Sequence, residues 1–408
     1  MSRITKAIHA IGLMSGTSAD GVDAALIKIK GKALDCKIKL IAFKKFPFSK
    51  GLQELIHKAS TPEFGRVDLI CRLNFLIGEL FAEAALEIVK IAGYTMKTID
   101  LIGSHGQTIY HAPEDRNGVG DKKWLPSTLQ IGESSLIAER TGVTTIADFR
   151  SMDMASGGIG APLTPFAHYI LFHEKGKGKI VNNIGGISNV TFLSGGGDIH
   201  DVVAFDTGPG NMLIDSLIHI ITRGKRSYDN SGTMASMGNV SEKLLKRLMD
   251  NPFIKKNPPK STGREEFGYH EALKIYRYAK RYGLSDRDII ATVTGFTARS
   301  IVENCRMFIL CKKEPSEIIL CGGGAKNTTL IDMIKKGVEP IQVKTSDYYG
   351  FPPEAIESIA FAILGNAAIS GVPANLPQVT GAKKAVVLGK IIFSHRGTKS
   401  KRNTPFNQ

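Results

Sequence analysis

Apolar positions along the chain follow the same rhythm twice. Residues 7–13, 22–29 and 36–46 are apolar or alternating runs joined by short polar turns, a spacing that predicts an antiparallel three-strand meander. Helical periodicity follows over 51–59 and more strongly over 66–92, and a strand is predicted at 99–104. The scheme then restarts. "KIVNNIGG" (179–186), "SNVTFLSG" (188–195) and "DVVAFDTG" (201–208) predict a second set of three strands with glycine-polar turns. Helices are expected at 210–222, 239–249, 268–282 and 286–310, then a strand at 317–324, a helix at 327–336, a strand at 340–344 and a helix at 353–370.

A chain of 408 residues exceeds one ordinary core, and the repeat divides it into domains 1–168 and 169–392 with a basic tail 393–408. The helix 353–370 is a candidate to pack back on the first domain. Composition, 42% hydrophobic and 22% charged, is that of a globular protein, and no run approaches the ~18 apolar residues of a spanning helix. Arg3 and Lys6 precede a short apolar stretch that runs into a glycine turn without a small-residue cleavage site, so no signal peptide is expected. Five scattered cysteines without CxxC spacing fit reduced thiols and a cytoplasmic location. The net charge of +15 is spread along the chain and clusters only at His395–Arg402, with no basic stripe interleaved with aromatics; no nucleic acid and no membrane is expected as a partner. A positive field still favours an anionic substrate.

The turn after the first strand, Gly16-Thr17-Ser18-Ala19-Asp20-Gly21-Val22-Asp23, is richer than a hairpin needs. Its glycines open backbone N–H groups to phosphate oxygens, its hydroxyls are donors, and Asp20 or Asp23 suits Mg²⁺ or its waters. Gly185 and Gly186 form the companion turn. Asp206 at a strand end, followed by Gly208 and a helix beginning near Pro209, makes an anion site, the plainer alternative being an N-cap with no ligand. Gly322, Gly323 and Gly324 suit either a flat adenine against backbone or a tight strand-to-helix turn. In "TTIADFRSMDMASGGIGAPLTP" (144–165) a carboxylate, Asp148 or Asp153, is presented beside flexible glycines as a general base would be, and the pattern does not choose between them. His105 and Gln107 end a strand and Gln130 and Glu133 precede a helix, which suits a polyhydroxylated ligand; His111 reads as structural.

The duplicated meander with following βα units resembles the actin, hexokinase and Hsp70-like ATPase fold, two α/β domains about an interdomain cleft. The residues go further. "GLMSGTSADGVDAAL", "GSHGQT", "TLQIGE", "IADFRSMDMASGGIGAPLTP", "NNIGGISN", "FDTGPGN", "PPKSTGREEFG", "LCGGGAKN" and "NLPQVTGAKKAVVLGKI" resemble, in order, the anhydro-N-acetylmuramic acid kinases from about residue 8 to about 392. The resemblance implies an ATP- and Mg²⁺-dependent enzyme of peptidoglycan recycling that opens the 1,6-anhydro ring with water and phosphorylates O6. It implies a sugar- and phosphate-binding first domain, a nucleotide-binding second domain and a homodimer. It places the general base on Asp153, the ATP loop on Gly16 to Asp23, and His105, Gln107, Gln130 and Glu133 near the sugar. Glu357 is then a metal-side carboxylate with Asp20, or a first-turn glutamate favoured by the helix dipole. A levoglucosan-type kinase and a catalytically silent nucleotide-gated protein are the competing readings. The stretch 114–124 looks longer than is usual in the family.

Overall fold

The computed structural model describes residues 7–31, 33–113, 116–119, 122–311 and 313–394. The tail residues 395–408, with the His395–Arg402 cluster, and part of the 114–124 stretch lie outside the described residues. Among the described residues no helix is long and apolar enough to cross a membrane. The chain divides into two compact units, one of 1–160, 357–375 and 383–408, the other of 161–356 and 376–382.

In the first unit the predicted meander is β1 (Ile8–Ser15), β2 (Gly21–Lys30) and β3 (Lys37–Pro47). β4 (Leu101–Ala112) joins β1 in parallel and runs on past the predicted end at 104. β5 (Arg116–Val119) and β6 (Lys122–Trp124) pair with each other, and β7 (Ser127–Ile131) pairs with the far end of β4. β8 (Thr145–Ala147) lies parallel to β4 and is capped antiparallel by β14 (Lys390–Ile392). The path of the sheet is therefore β3–β2–β1–β4–β8–β14. Edge strand β3 alternates, with Lys37 and Lys39 exposed, the usual protection of an unpaired edge.

In the second unit β9 (Gly178–Ile184), β10 (Ile187–Leu193) and β11 (Val203–Pro209) form the second meander, and β12 (Pro315–Cys321) and β13 (Gln342–Thr345) extend it in parallel. The order β11–β10–β9–β12–β13 repeats that of the first sheet, β3–β2–β1–β4–β8: third, second, first, fourth, then a later parallel strand. This is the duplicated α/β topology of actin, hexokinase and Hsp70-like ATPases. β9 and β12 are buried along nearly their whole lengths, polar residues of β9 such as Asn182 and Asn183 included. The predicted 286–310 helix is α-helical over Asp286–Cys305 and continues as a π-turn over Arg306–Leu310.

Each sheet buries one face under a long helix. Leu73, Ile77, Phe81 and Ile88 of the Val67–Ile91 helix pack on Ile11, Leu13 and Leu26. Ala298, Ile301 and Cys305 pack on Ile180, Val190 and Phe205 in the second unit. The opposite face of the first sheet is closed differently. Gly12 of β1 and Gly103 of β4 lie side by side in register. The backbone of the Ile356–Ile369 helix rests directly on them: a Cβ at Gly12 would sit 1.7 Å from the Ser358 carbonyl oxygen, and one at Gly103 would sit 2.0 Å from that of Phe361. Gly12→Ala or Gly103→Ala should destabilise the protein by about 3 kcal/mol or more, the upper range for overpacking, because backbone rather than a side chain must yield. Urea unfolding checks this; a wild-type midpoint in either variant would contradict the packing.

Candidate active site

In the first unit the site is built on the β4 strand end and the short Phe149–Ala155 helix that follows β8. Asp148 enters this helix in a left-handed conformation, φ +55°, and its carboxylate is held by Ser151 and Lys390. Asp153, one turn on, is fully buried. Its Oδ2 accepts the Gly160 N–H at 2.8 Å and its Oδ1 accepts from Asn375 Nδ2 at 2.8 Å. Gly158 passes so close that a Cβ there would lie 2.3 Å from Oδ2, so the glycine run is a condition of this approach. Arg150, on the same helix, donates from Nε to His105 Nε2 (3.0 Å) and from a terminal nitrogen to the Gly160 carbonyl (3.1 Å). The Gly160 peptide is thus gripped on its N–H side by Asp153 and on its carbonyl side by Arg150.

His105 accepts at Nε2, so its proton is on Nδ1, directed at the Gly106 carbonyl 3.0 Å away. Burial and then the Arg150 charge push its pKa down to about 3. The ring is a neutral acceptor that orients Arg150, and it packs tilted against Phe361 with centroids 4.6 Å apart. His111 is likewise pushed down, to about 4, by burial and then by Arg150, and it meets Thr128 Oγ1 at 3.0 Å.

Of the other polar residues expected near a sugar, Gln107 is fully engaged. It accepts from Ser15 Oγ (2.6 Å) and donates to the carbonyls of Gly16 and Thr108. Glu133 is the N-cap of the Ser134–Thr141 helix, accepting from the Ser135 N–H and from Asn74. Burial opposes its charge, but these donors outweigh burial and hold its pKa below the usual range. Gln130 donates to Thr108 and Thr128, which leaves its buried Oε1 without a partner. These three residues shape the strand ends, and of them Gln130 retains an open acceptor.

The Gly16–Asp23 turn divides into anchors and reach. Ala19, at φ +51°, and Val22 are core residues, while Thr17 and Ser18 are exposed. Gly21 allows β2 to approach β3: a Cβ there would lie 2.4 Å from the Phe46 oxygen. Lys45, opposite Asp23 in register, bonds Asp20 at 2.8 Å and lies 4.0 Å from Asp23. No sequence pattern had singled out this lysine, although Lys45 facing Asp23 across a meander is a favourable cross-strand pair. Asp20 keeps 46% of its side chain accessible. Glu357 lies in the first turn of the Ile356–Ile369 helix and is half-buried. Among the described residues no group of three His, Cys, Asp or Glu side chains gathers for a metal.

In the second unit three glycine turns meet at one residue. Asn211 donates its N–H to the Gly185 carbonyl (2.8 Å), and its side chain lies against Gly323 and Gly324. Gly210 and Met212 donate to Gly186, so the N-terminus of the Met212–Ile221 helix is tied to the companion turn. The helix therefore begins after Asn211, and Pro209 ends β11. Gly185, Gly186 and Gly322 are partly accessible and Gly323 is exposed, so the surface between the turns is bare backbone. Gly208 faces Ile254 and Ser300 and serves packing. Asp206 is not an N-cap: it accepts from Ser261 Oγ and the Thr262 N–H, both 2.9 Å, and so holds the "PPKSTG" loop. Next to it Lys260 is buried among Phe205, Phe253 and Phe308; burial pushes its pKa down to about 8, against the pull of Asp206.

A family model described as anhydro-N-acetylmuramic acid kinase matches residues 8–394. The chain belongs to that family. The anhydro-N-acetylmuramic acid kinase of Caldanaerobacter subterraneus subsp. tengcongensis is 50% identical over 381 residues, spanning 93% of this chain and 96% of that protein. That of Bacillus cereus (strain AH820) is 45% identical over 388 residues, spanning 95% and 99%. The anhydro-N-acetylmuramic acid kinase match takes in both sheets and every glycine turn described above.

The buried imidazole makes stability depend on pH. The His105 pKa falls from 6.5 to about 3 on folding, so the unfolded chain takes up the proton first. Its stabilisation is complete above pH 6.5 and is lost as pH falls toward 3. Between pH 7 and 5 this one ring accounts for about 2 kcal/mol. Urea unfolding at both pH values should show His105→Gln losing less stability than wild type by about that amount; equal losses would contradict the neutral ring.

Proposed function

We propose that the protein is an ATP- and Mg²⁺-dependent kinase that opens the 1,6-anhydro ring of anhydro-N-acetylmuramic acid with water and transfers the γ-phosphoryl group to the freed O6, giving N-acetylmuramic acid 6-phosphate in peptidoglycan recycling. The observation that carries the reading is Asp153: a buried carboxylate on a short helix, held by Gly160 N–H at one oxygen and by Asn375 at the other, with an arginine one turn away. Asp148, the other candidate base, is occupied by Ser151 and Lys390.

In this reading Asp153 takes a proton from water as the water oxygen bonds to the anomeric carbon. The bond from that carbon to the bridging oxygen breaks, and the bridging oxygen bonds to the γ-phosphorus while ADP departs with the P–O electron pair. The phosphoryl group accepts the charge that a general acid would neutralise in an ordinary glycosidase, so one carboxylate suffices. Thr17 and Ser18 offer exposed hydroxyls to phosphate, and the bare backbone at Gly185, Gly186 and Gly323 offers an uncrowded surface to nucleotide. Mg²⁺ bound mainly by phosphates and waters needs one or two carboxylates, which fits the accessible Asp20 better than a closed cage; Glu357 is the second candidate. The metal would supply neutralisation of phosphate charge. Lys45, now on Asp20 and Asp23, is a second cation at the same turn. A cytoplasmic homodimer is part of the proposal.

ADP release should require anhydro-N-acetylmuramic acid and be slight with levoglucosan or with no sugar; sugar-independent release at the same rate would remove the kinase reading. Asp153→Asn should lower kcat by about 10³-fold, in keeping with loss of a general base together with its charge, while calorimetry still shows ATP binding. Wild-type turnover in that variant would remove Asp153 from the chemistry. Asp20→Ala should raise the Mg²⁺ concentration for half-maximal rate several-fold; an unchanged titration would take Asp20 out of the metal site.

A further inference from the structure

Asn375 lies in the loop after the Ile356–Ile369 helix, and its amide is spoken for at every position that matters. Nδ2 donates to Asp153 Oδ1 at 2.8 Å and to the Lys384 carbonyl at 3.2 Å. Oδ1 accepts the Val386 N–H at 2.7 Å. The reversed amide would set an oxygen against a carboxylate and a carbonyl and would leave the Val386 N–H facing NH₂, so only one orientation satisfies all three partners. The side chain is 2% exposed and Asp153 is 0% exposed. The residues that bond Asn375 come from the segment 383–386, itself tied back by Ala374 N–H to the Val386 carbonyl and by Lys383 N–H to the Ser156 carbonyl. The amide is therefore held by backbone and does not adjust to the carboxylate; the carboxylate adjusts to it.

The geometry points to Asn375 as a positioning residue for the reaction: it fixes the plane of the Asp153 carboxylate from one oxygen while Gly160 N–H fixes the other. This rests on the reading of Asp153 as the base. Two donors at opposite oxygens define the rotation of the carboxylate and so the direction in which it meets water. An aspartate at 375 would keep the bond from Val386 N–H but would meet Asp153 with an acceptor. Below the apparent pKa of such a pair one shared proton restores the donor, so the defect is expected to be relieved as pH falls. The charged and titratable groups on the surrounding segments are Arg150 and Asp148 on the helix of Asp153, His105 behind Arg150, and Lys383, Lys384 and Lys390 on the C-terminal segment. They are common to wild type and variant, so the difference between the two pH profiles isolates position 375.

The test is steady-state kinetics of the full-length wild type, Asn375→Asp, Asn375→Ala and Asp153→Asn from pH 5.5 to 9, with circular dichroism and ATP-binding calorimetry to establish that each variant is folded. Expected at pH 8 is a fall in kcat of about 10²-fold for both position-375 variants, the scale of a misplaced catalytic group, with the sugar KM within about threefold of wild type. Asn375→Asp should recover relative to wild type as pH falls, and Asn375→Ala should not. Full activity of folded Asn375→Asp at every pH, with Asp153→Asn inactive, overturns the positioning role and leaves the base in place. A loss in both position-375 variants without relative recovery of Asn375→Asp at low pH also overturns it. Wild-type turnover by Asp153→Asn overturns the reading of the base and this inference with it.

Discussion

The first unit depends on a helix backbone lying directly on a sheet. Gly12 and Gly103, adjacent in register on β1 and β4, leave no side chain between the strands and the Ile356–Ile369 helix. That contact sets Phe361, whose ring packs on His105 at 4.6 Å and on Phe149 at 5.4 Å. Phe149 begins the helix that carries Arg150 and Asp153, and His105 sets the arginine. The same helix leads on to Asn375, which reaches Asp153 across 222 positions of sequence. Each element of the candidate catalytic group is thus placed, through packing, by two absent Cβ atoms.

Glycine does a different job in the second unit. There the turns at 185–186 and 208–211 are tied by hydrogen bonds from Gly210, Asn211 and Met212, the 322–324 turn lies against the Asn211 side chain, and Gly185, Gly186, Gly322 and Gly323 leave backbone accessible. The two meanders share a strand order but divide the chemistry. The first turn carries hydroxyls and aspartates with Lys45 of β3 against it; the second carries bare peptide. Charge and hydroxyl donors suit phosphate and metal, and uncrowded backbone suits a flat base or a phosphate oxygen, so topologically equivalent turns serve two purposes in the proposed enzyme.

The long periodic elements were legible because alternation and 3.6-residue spacing survive in single strands and helices, as in β2 and the Val67–Ile91 helix. The short ones were not. β7, β14 and the Phe149–Ala155 and Pro165–Phe172 helices are three to eight residues long, too short for a period, and exist because neighbours complete them. The glycine turns were legible as exposed backbone. The polar strand-end residues were less so: Gln107 and Glu133 satisfy buried backbone and cap a helix, uses that look the same in sequence as ligand binding. Asp206 holds the loop at Ser261 and Thr262, a use that its place at a strand end does not distinguish from anion binding. Asn375, Lys45 and Asn211 were invisible as partners because each acts on residues brought close only by the fold.

The central claim is that a water activated in the first unit attacks the anomeric carbon while the bridging oxygen goes to phosphorus. It is tested most directly by turnover in ¹⁸O-water, with the product reduced by borohydride at once to freeze the oxygen on its first carbon. The proposed reaction puts one ¹⁸O on that carbon and none in the phosphate ester, after correction for exchange of product alone. Label in the ester, with none on the first carbon beyond exchange, would mean that water entered at C6 or phosphorus, and the role given to Asp153 would be wrong.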